Sequence, residues 1–219
     1  MHLNVGEPMS SIAVFLGPTL PPAAAQSWFN ATYMPPIKRG DLETLPDEIQ
    51  TVGIIDGVFH QSLAVSPKEI IALLERGVRV YGASSIGALR AAETYMYGMI
   101  GIGEIFEMYR DREIDADDEV AVAYDPITYR AVSEPLVNIR SALRAAVAQG
   151  IISSKAAGEI ISTMKGIYYP SRSYQLVGRM SPALAPFLKA ARYDQKRDDA
   201  VLLLRTIGAQ AAALLISTS

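Results

Sequence analysis

Thr51-Val-Gly-Ile-Ile-Asp56 and Gly77-Val-Arg-Val-Tyr-Gly82, with the helix signal Ser66-Pro67-Lys68-Glu69 between them, decide the fold. Each outer string is a short apolar run of strand length, rich in β-branched residues. Ser66 is an N-cap residue, Pro67 suits the first helical position, and Glu69 stands where a capping box needs it. Ile70, Ile71, Leu73 and Leu74 then recur at helical spacing, and Gly77 ends the helix. The whole reads as one βαβ unit. Such a crossover is right-handed, so both strands point their C-terminal ends, Asp56 and Gly82, at one edge of the sheet. Ligands of open parallel sheets bind at that edge, which makes Asp56, Ser84 and Ser85 candidates by position.

Outward from this unit, residues 12–16 and 33–34 read as two earlier strands, and the alternation of residues 120–124 as a fifth. The glycine-rich Gly98-Met-Ile-Gly-Ile-Gly103 reads as a bend; it follows a helix and is no dinucleotide fingerprint. Beyond it the pattern turns helical, over about residues 133–149, 153–165, 181–192 and 195–216. The expected fold is α/β, a mostly parallel sheet of four to five strands with flanking helices, followed by an all-helical C-terminal part. Residues 1–128 form the α/β core, and residues 129–219 a helical region packed on it. No Gly/Ser-rich spacer marks the boundary, so it is a change of layer within one unit.

The chain has 219 residues, 50% apolar and 20% charged, enough to bury a sizeable core and too apolar for a disordered chain. It has no cysteine, which removes disulfides, thiolate metal sites and cysteine nucleophiles, and only His2 and His60, which removes multi-histidine metal sites. No cofactor is called for. Residues 201–217 are interrupted by Arg205 and Gln210 and read as a packed helix, not a membrane span. Residues 12–16 are too short for a signal-peptide core, and the expected compartment is the cytoplasm. Residues 1–150 carry 11 basic and 19 acidic side chains, residues 151–219 nine and four. The chain has no basic cluster with interleaved aromatics, which argues against nucleic acid. The asymmetry points instead to protein partners, one on the acidic segment of residues 104–119 and another near the basic helices.

Chemistry concentrates in Gly82-Ala-Ser-Ser-Ile-Gly-Ala-Leu-Arg90. A strand running through small residues straight into a helix is the local geometry of a nucleophile elbow. The x-Ser-x-Gly register makes Ser85 the nucleophile, with Ser84 the alternative one residue off. The Ile86 amide and the helix start at Gly87 would face a developing oxyanion. The same small residues also suit tight strand–helix packing or a phosphate on the helix amides. The candidate bases are His60, a lysine or a carboxylate; Lys38 stands in Met34-Pro-Pro-Ile-Lys-Arg-Gly-Asp41, a loop its prolines stiffen. A lysine acts as a base only if burial or a neighbouring cation such as Arg39 lowers its pKa. Arg90 and Glu93 are spaced to pair on one helix face, and Asp115-Ala-Asp-Asp-Glu119 reads as a solvated acidic face.

Four strings, Pro35-Pro-Ile-Lys-Arg-Gly-Asp41, Ile54-Ile-Asp-Gly-Val-Phe59, Gly82-Ala-Ser-Ser-Ile-Gly-Ala-Leu-Arg-Ala-Ala-Glu93 and Asp117-Asp-Glu-Val-Ala121, resemble the core of the TfuA-like family across about residues 12–124. Ile86 departs from it, where methionine is usual. The resemblance implies a partner of YcaO enzymes in installing peptide thioamides. It implies a serine–lysine hydrolase that releases sulfide from a ThiS-like thiocarboxylated carrier and docks on YcaO, for a ribosomal peptide or protein as final substrate. Carried onto this chain, it raises Ser85 and Lys38. Asp56 would orient the lysine or a water, and Arg39 or Arg90 would hold the substrate's carboxyl end. Two other classes stay open, a non-catalytic adaptor that brings YcaO and carrier together and a nucleotide or phosphate sensor built on the Ser84–Gly87 turn.

Overall fold

The structure, a computed structural model, describes residues 11–59, 64–190 and 193–217. Its five strands, β1 (Ile12–Phe15), β2 (Thr32–Met34), β3 (Thr51–Ile54), β4 (Arg79–Ala83) and β5 (Ile100–Ile102), form one sheet, every neighbouring pair parallel, in the order β2-β1-β3-β4-β5. The helices are α1 (Pro22–Ala25), α2 (Pro67–Glu75), α3 (Ile86–Thr94), α4 (Glu104–Arg110), α5 (Leu136–Ala148), α6 (Ser154–Lys165), α7 (Tyr174–Met180), α8 (Leu184–Ala190) and α9 (Gln195–Ser217).

The central strands β1, β3 and β4 are buried on both faces, as continuous apolar runs require, while the edge strands β2 and β5 are partly exposed. Ala13, Phe15, Val52, Ile54 and Val80 pack with Ile70 of α2, Ile86 and Ala91 of α3 and Ile105 of α4. Alternate residues Val14, Leu16, Ile55, Tyr81 and Ala83 pack with Ala200, Leu203, Leu204 and Ile207 of α9. Each such leucine or isoleucine contributes about 1.5–3 kcal/mol by leaving water, so α9 is held firmly on the sheet. The capping box of α2 is formed in full: Ser66 Oγ accepts from the Glu69 amide, and Glu69 Oε2 accepts from the Ser66 amide at 2.8 Å.

Two expectations need correction. Residues 120–124 make no strand of the sheet; Tyr124 forms only an isolated antiparallel bridge to Ala131. The fifth strand is β5, inside the supposed glycine bend. Its Gly101 is required because a Cβ there would lie 2.2 Å from the Phe106 ring. Helix α7 was also not expected. Together α5 to α8 build their own core around Leu136, Leu143, Ile160 and Leu184.

Part of the acidic segment is paired internally, although Glu107, Asp111, Glu113, Asp115 and Asp117 are exposed. Glu119 is fully buried and accepts from Arg140 Nε and Nη2 at 2.9 and 2.8 Å. Asp118 pairs with Arg172 at 2.5 Å, Asp115 with Lys165 at 3.7 Å, and Glu104 with Arg144. Asp118 and Glu119 therefore belong to a seam against α5 and the Arg172 segment, not to a solvated face.

Candidate functional site

In this strand order the chain reverses direction between β1 and β3, and the crevice beyond their C-terminal ends is where doubly wound sheets bind ligands. Asp56, just past β3, joins the two loops there. Its carboxylate accepts from the Gly17 amide (2.9 Å), the Thr19 amide (2.9 Å) and the Thr19 hydroxyl (2.6 Å) while only 1% exposed.

Next to it, β4 runs into the serine turn. The Ser85 amide donates to the Ala83 carbonyl at 2.8 Å across Ser84, whose φ is +68°. A three-residue turn with a positive φ at its centre is rare and strained, and strain of this kind gathers at functional sites. The glycines on either side permit it: a Cβ on Gly82 would lie 2.2 Å from the Gly87 carbonyl oxygen, and one on Gly87 1.8 Å from that of Ile54. Tight strand–helix packing and the sharp turn are thus one feature. The Ser84 hydroxyl is buried without a hydrogen-bond partner among the described residues. Ser85 is the N-cap of α3, yet its hydroxyl does not cap the helix. The Gly87 amide is occupied by the Ile55 carbonyl at 3.3 Å; among the described residues the Ile86 amide has no acceptor.

The Ser85 hydroxyl faces Lys196, the second residue of α9, whose Nζ lies 3.1 Å away. A charged lysine donates in this contact and a neutral one can accept. Nζ also donates to the Val120 carbonyl at 2.9 Å and stands 3.9 Å from Asp56 Oδ1. Lys196 is 3% exposed, and burial pushes its pKa down against the pull of Asp56, Asp194 and Glu134. Its backbone is held as well. The Asp194 side chain accepts from the Arg197 amide, and Asn138 of α5 accepts from the Lys196 amide, both at 3.1 Å. A small cavity of about 140 Å³ opens on Lys196, lined also by Thr19, Ser133, Glu134, Asn138 and Asp194. The partly buried Glu134 carboxyl is pushed up to about 7 by burial, with Asp194 adding to the shift. A larger groove of about 590 Å³ between α7 and α8, lined by Tyr174, Gly178 and Leu188 among others, contains none of the candidate residues.

The structure thus brings Asp56, Ser84, Ser85, Ile86 and Gly87 to one edge, and adds Lys196. Lys38 and Arg39 are exposed; among the described residues the Lys38 amine makes no hydrogen bond, and the loop uses its backbone amide, 2.9 Å from Asp41. Arg90 is occupied elsewhere, by the Val65 carbonyl (2.6 Å) and Glu93 (2.7 Å). His60 lies outside the described residues. Lys196 had a signal that went unread. It falls with Asp199 on the same helical stripe as Ala200, Leu203, Leu204 and Ile207, and a lysine in a core stripe is anomalous. Among the described residues no cluster of three or more His, Asp or Glu could hold a metal, and no helix is long and apolar enough to cross a membrane.

Strand order, serine turn and buried amine define a doubly wound α/β protein with a serine–lysine pair at its switch-point edge. The family model described as TfuA-like protein matches residues 56–173, more than half of the chain, and the chain belongs to that family. The match begins at Asp56 and takes in the serine turn, while Lys38 and Lys196 fall outside it. No curated protein matches the chain. The family fits a role associated with thioamidation and is associated with YcaO partners.

Proposed function

We propose that the protein is the sulfide-releasing hydrolase of a peptide thioamidation system, with Ser85 as nucleophile and Lys196, not Lys38, as its base. The observation that carries this reading is the 3.1 Å contact between Lys196 Nζ and Ser85 Oγ, made by a lysine whose burial favours the neutral form. Neutral Lys196 takes the Ser85 proton as the oxygen attacks the carbon of a carrier's thiocarboxylate. The Ile86 amide at the start of α3 receives the oxyanion. Sulfur leaves as hydrosulfide, which requires one proton, and the proton on Lys196 supplies it. Water then cleaves the seryl ester, with Lys196 again as base, giving the carboxylate and free Ser85. Asp56 orients the amine while locking the Gly17–Thr19 loop. The cavity of about 140 Å³ reaches Lys196 but is not lined by the serine turn, and its volume suits an unbranched chain end that would pass Lys196 to meet Ser85.

Sulfide release from a ThiS-like thiocarboxylated carrier tests the reading. Ser85→Ala and Lys196→Met abolish it, whereas Lys38→Ala retains it. Release surviving in Ser85→Ala and lost in Ser84→Ala would move the nucleophile by one residue. Release retained in Ser85→Ala, Ser84→Ala and the double variant would leave the protein an adaptor between YcaO and the carrier.

A further inference from the structure

The Lys196 cavity poses an electrostatic problem. A thiocarboxylate or carboxylate chain end is an anion, yet Glu134 and Asp194 both line the cavity. Asn138 offers an incoming anion no N–H, because its amide nitrogen already donates to Glu134 Oε1 (2.8 Å) and Asp194 Oδ1 (3.1 Å). Thr19 is likewise occupied, its hydroxyl and amide both donating to Asp56. The two carboxyls are not equivalent. Asp194 Oδ1 also accepts the Arg197 amide at the start of α9, where the helix dipole favours negative charge. Glu134 stands one residue before the Pro135 N-cap of α5, and among the described residues its carboxyl accepts only the Asn138 bond.

We propose that Glu134 decides whether an anionic chain end enters the Lys196 cavity, donating a hydrogen bond to it while its carboxyl is protonated and repelling it once ionised. The inference rests on the hydrolase reading and names the residue that sets its substrate specificity. Burial holds the carboxyl protonated up to about 7. The groups that face it are Asp194 and Lys196 from the start of α9 and Tyr174 from α7; Asn138 on its own helix is neutral. Asp194 disfavours the ionised form and Lys196 favours it, so the balance lies within the range a cell can reach.

The test is binding, measured on the full chain carrying Ser85→Ala so that nothing turns over. The probes are a tetrapeptide ending in a glycine carboxylate and the same peptide as its methyl ester. The acid peptide's Kd rises with pH above about 7, by up to roughly tenfold per unit as one proton is lost. The ester's Kd stays flat. Adding Glu134→Gln, which keeps an oxygen for Asn138, flattens the acid peptide's profile. A slope that persists in Glu134→Gln assigns the effect to Lys196 and overturns the proposal, as does an equal slope for the ester or no binding of either peptide at millimolar concentration. Should Glu134→Gln not fold, carboxyl-detected NMR of the Ser85→Ala chain decides. Linkage is reciprocal, so the acid peptide must raise the pKa of Glu134, and an unshifted titration sinks the idea. If wild type releases no sulfide while this binding pattern holds, the hydrolase reading fails alone. If sulfide is released without the pattern, only the role of Glu134 fails.

Discussion

Arg172 and Lys196 are both cations from the C-terminal helical half, and both are almost wholly buried, at 1% and 3% exposure. Their surroundings differ. Arg172 donates to the carbonyls of Met164, Ile167, Lys165 and Asp118 and to the Asp118 carboxylate, at 2.5–3.3 Å. Its charge and its N–H groups are satisfied, and a guanidinium does not deprotonate. Lys196 has one carbonyl, one hydroxyl and a carboxylate 3.9 Å away that three other donors already use. A buried cation with a full set of acceptors clamps; one left short of them can lose its proton and react.

The largest effect expected from this contrast is in turnover. Lys196→Met removes the base and lowers sulfide release by about 10²–10⁴-fold, while urea unfolding shows stability unchanged or raised, since an under-compensated buried amine is gone. Arg172→Met does the reverse. It strands Asp118 and four carbonyls and costs about 3–5 kcal/mol, and the kcat of whatever remains folded is close to wild type. If Lys196→Met unfolds the protein and Arg172→Met only slows it, the two cations have been assigned the wrong way round.

The pH dependence of stability sharpens the comparison. Burial raises Glu134 to about 7 and Asp199 to about 6, above the ordinary carboxyl range. A raised folded-state pKa means the native state holds the proton more tightly, so this contribution is full below about pH 4 and is lost as pH rises through 6–7. For Glu134 the loss is on the order of 3 kcal/mol. Lys196 has the opposite sign: its depressed pKa makes stability recover as pH climbs towards the ordinary lysine value. Denaturation from pH 4 to 9 should therefore show Glu134→Gln gaining on wild type between about pH 4.5 and 7 and running parallel to it above. A constant difference across that range would mean that Glu134 titrates normally in the fold.

The two halves of the chain differed in legibility for the same physical reason. The βαβ unit of residues 51–82 was readable because its signals are local: alternating apolar strands, a capping box, a terminating glycine. The Ser84–Ser85 turn was readable because small residues between strand and helix leave little choice of geometry. β5 was hidden by Gly101, which lacks a side chain in order to clear Phe106, and so reads as a bend. Lys196 could not be joined to Ser85 by local pattern, since 111 residues separate them and only the packing of α9 on the sheet brings them together. Lys38 drew attention through its stiff loop and the family resemblance, neither of which reports burial. Asp118 and Glu119 did not read as paired, because composition records charge but not whether the opposite charge lies across a seam.

That seam gives the smallest expected effect and limits how far the Arg172 argument extends. Its inner pairs, Glu119–Arg140 and Asp118–Arg172, each include a fully buried side chain, whereas Asp115–Lys165 at 3.7 Å and Glu113–Arg144 at 4.0 Å lie in the open. Exposed pairs at such distances are worth about 0–1 kcal/mol and are screened by salt. Glu113→Gln should therefore lower the unfolding free energy by less than about 1 kcal/mol in dilute buffer, and high salt should erase the difference. Arg140→Gln leaves the Glu119 carboxylate buried without its bidentate partner, so its loss of stability should be several times larger and survive high salt. Equal, salt-sensitive losses in both variants would mean that water reaches Glu119 after all, and that the seam is held by its apolar contacts alone.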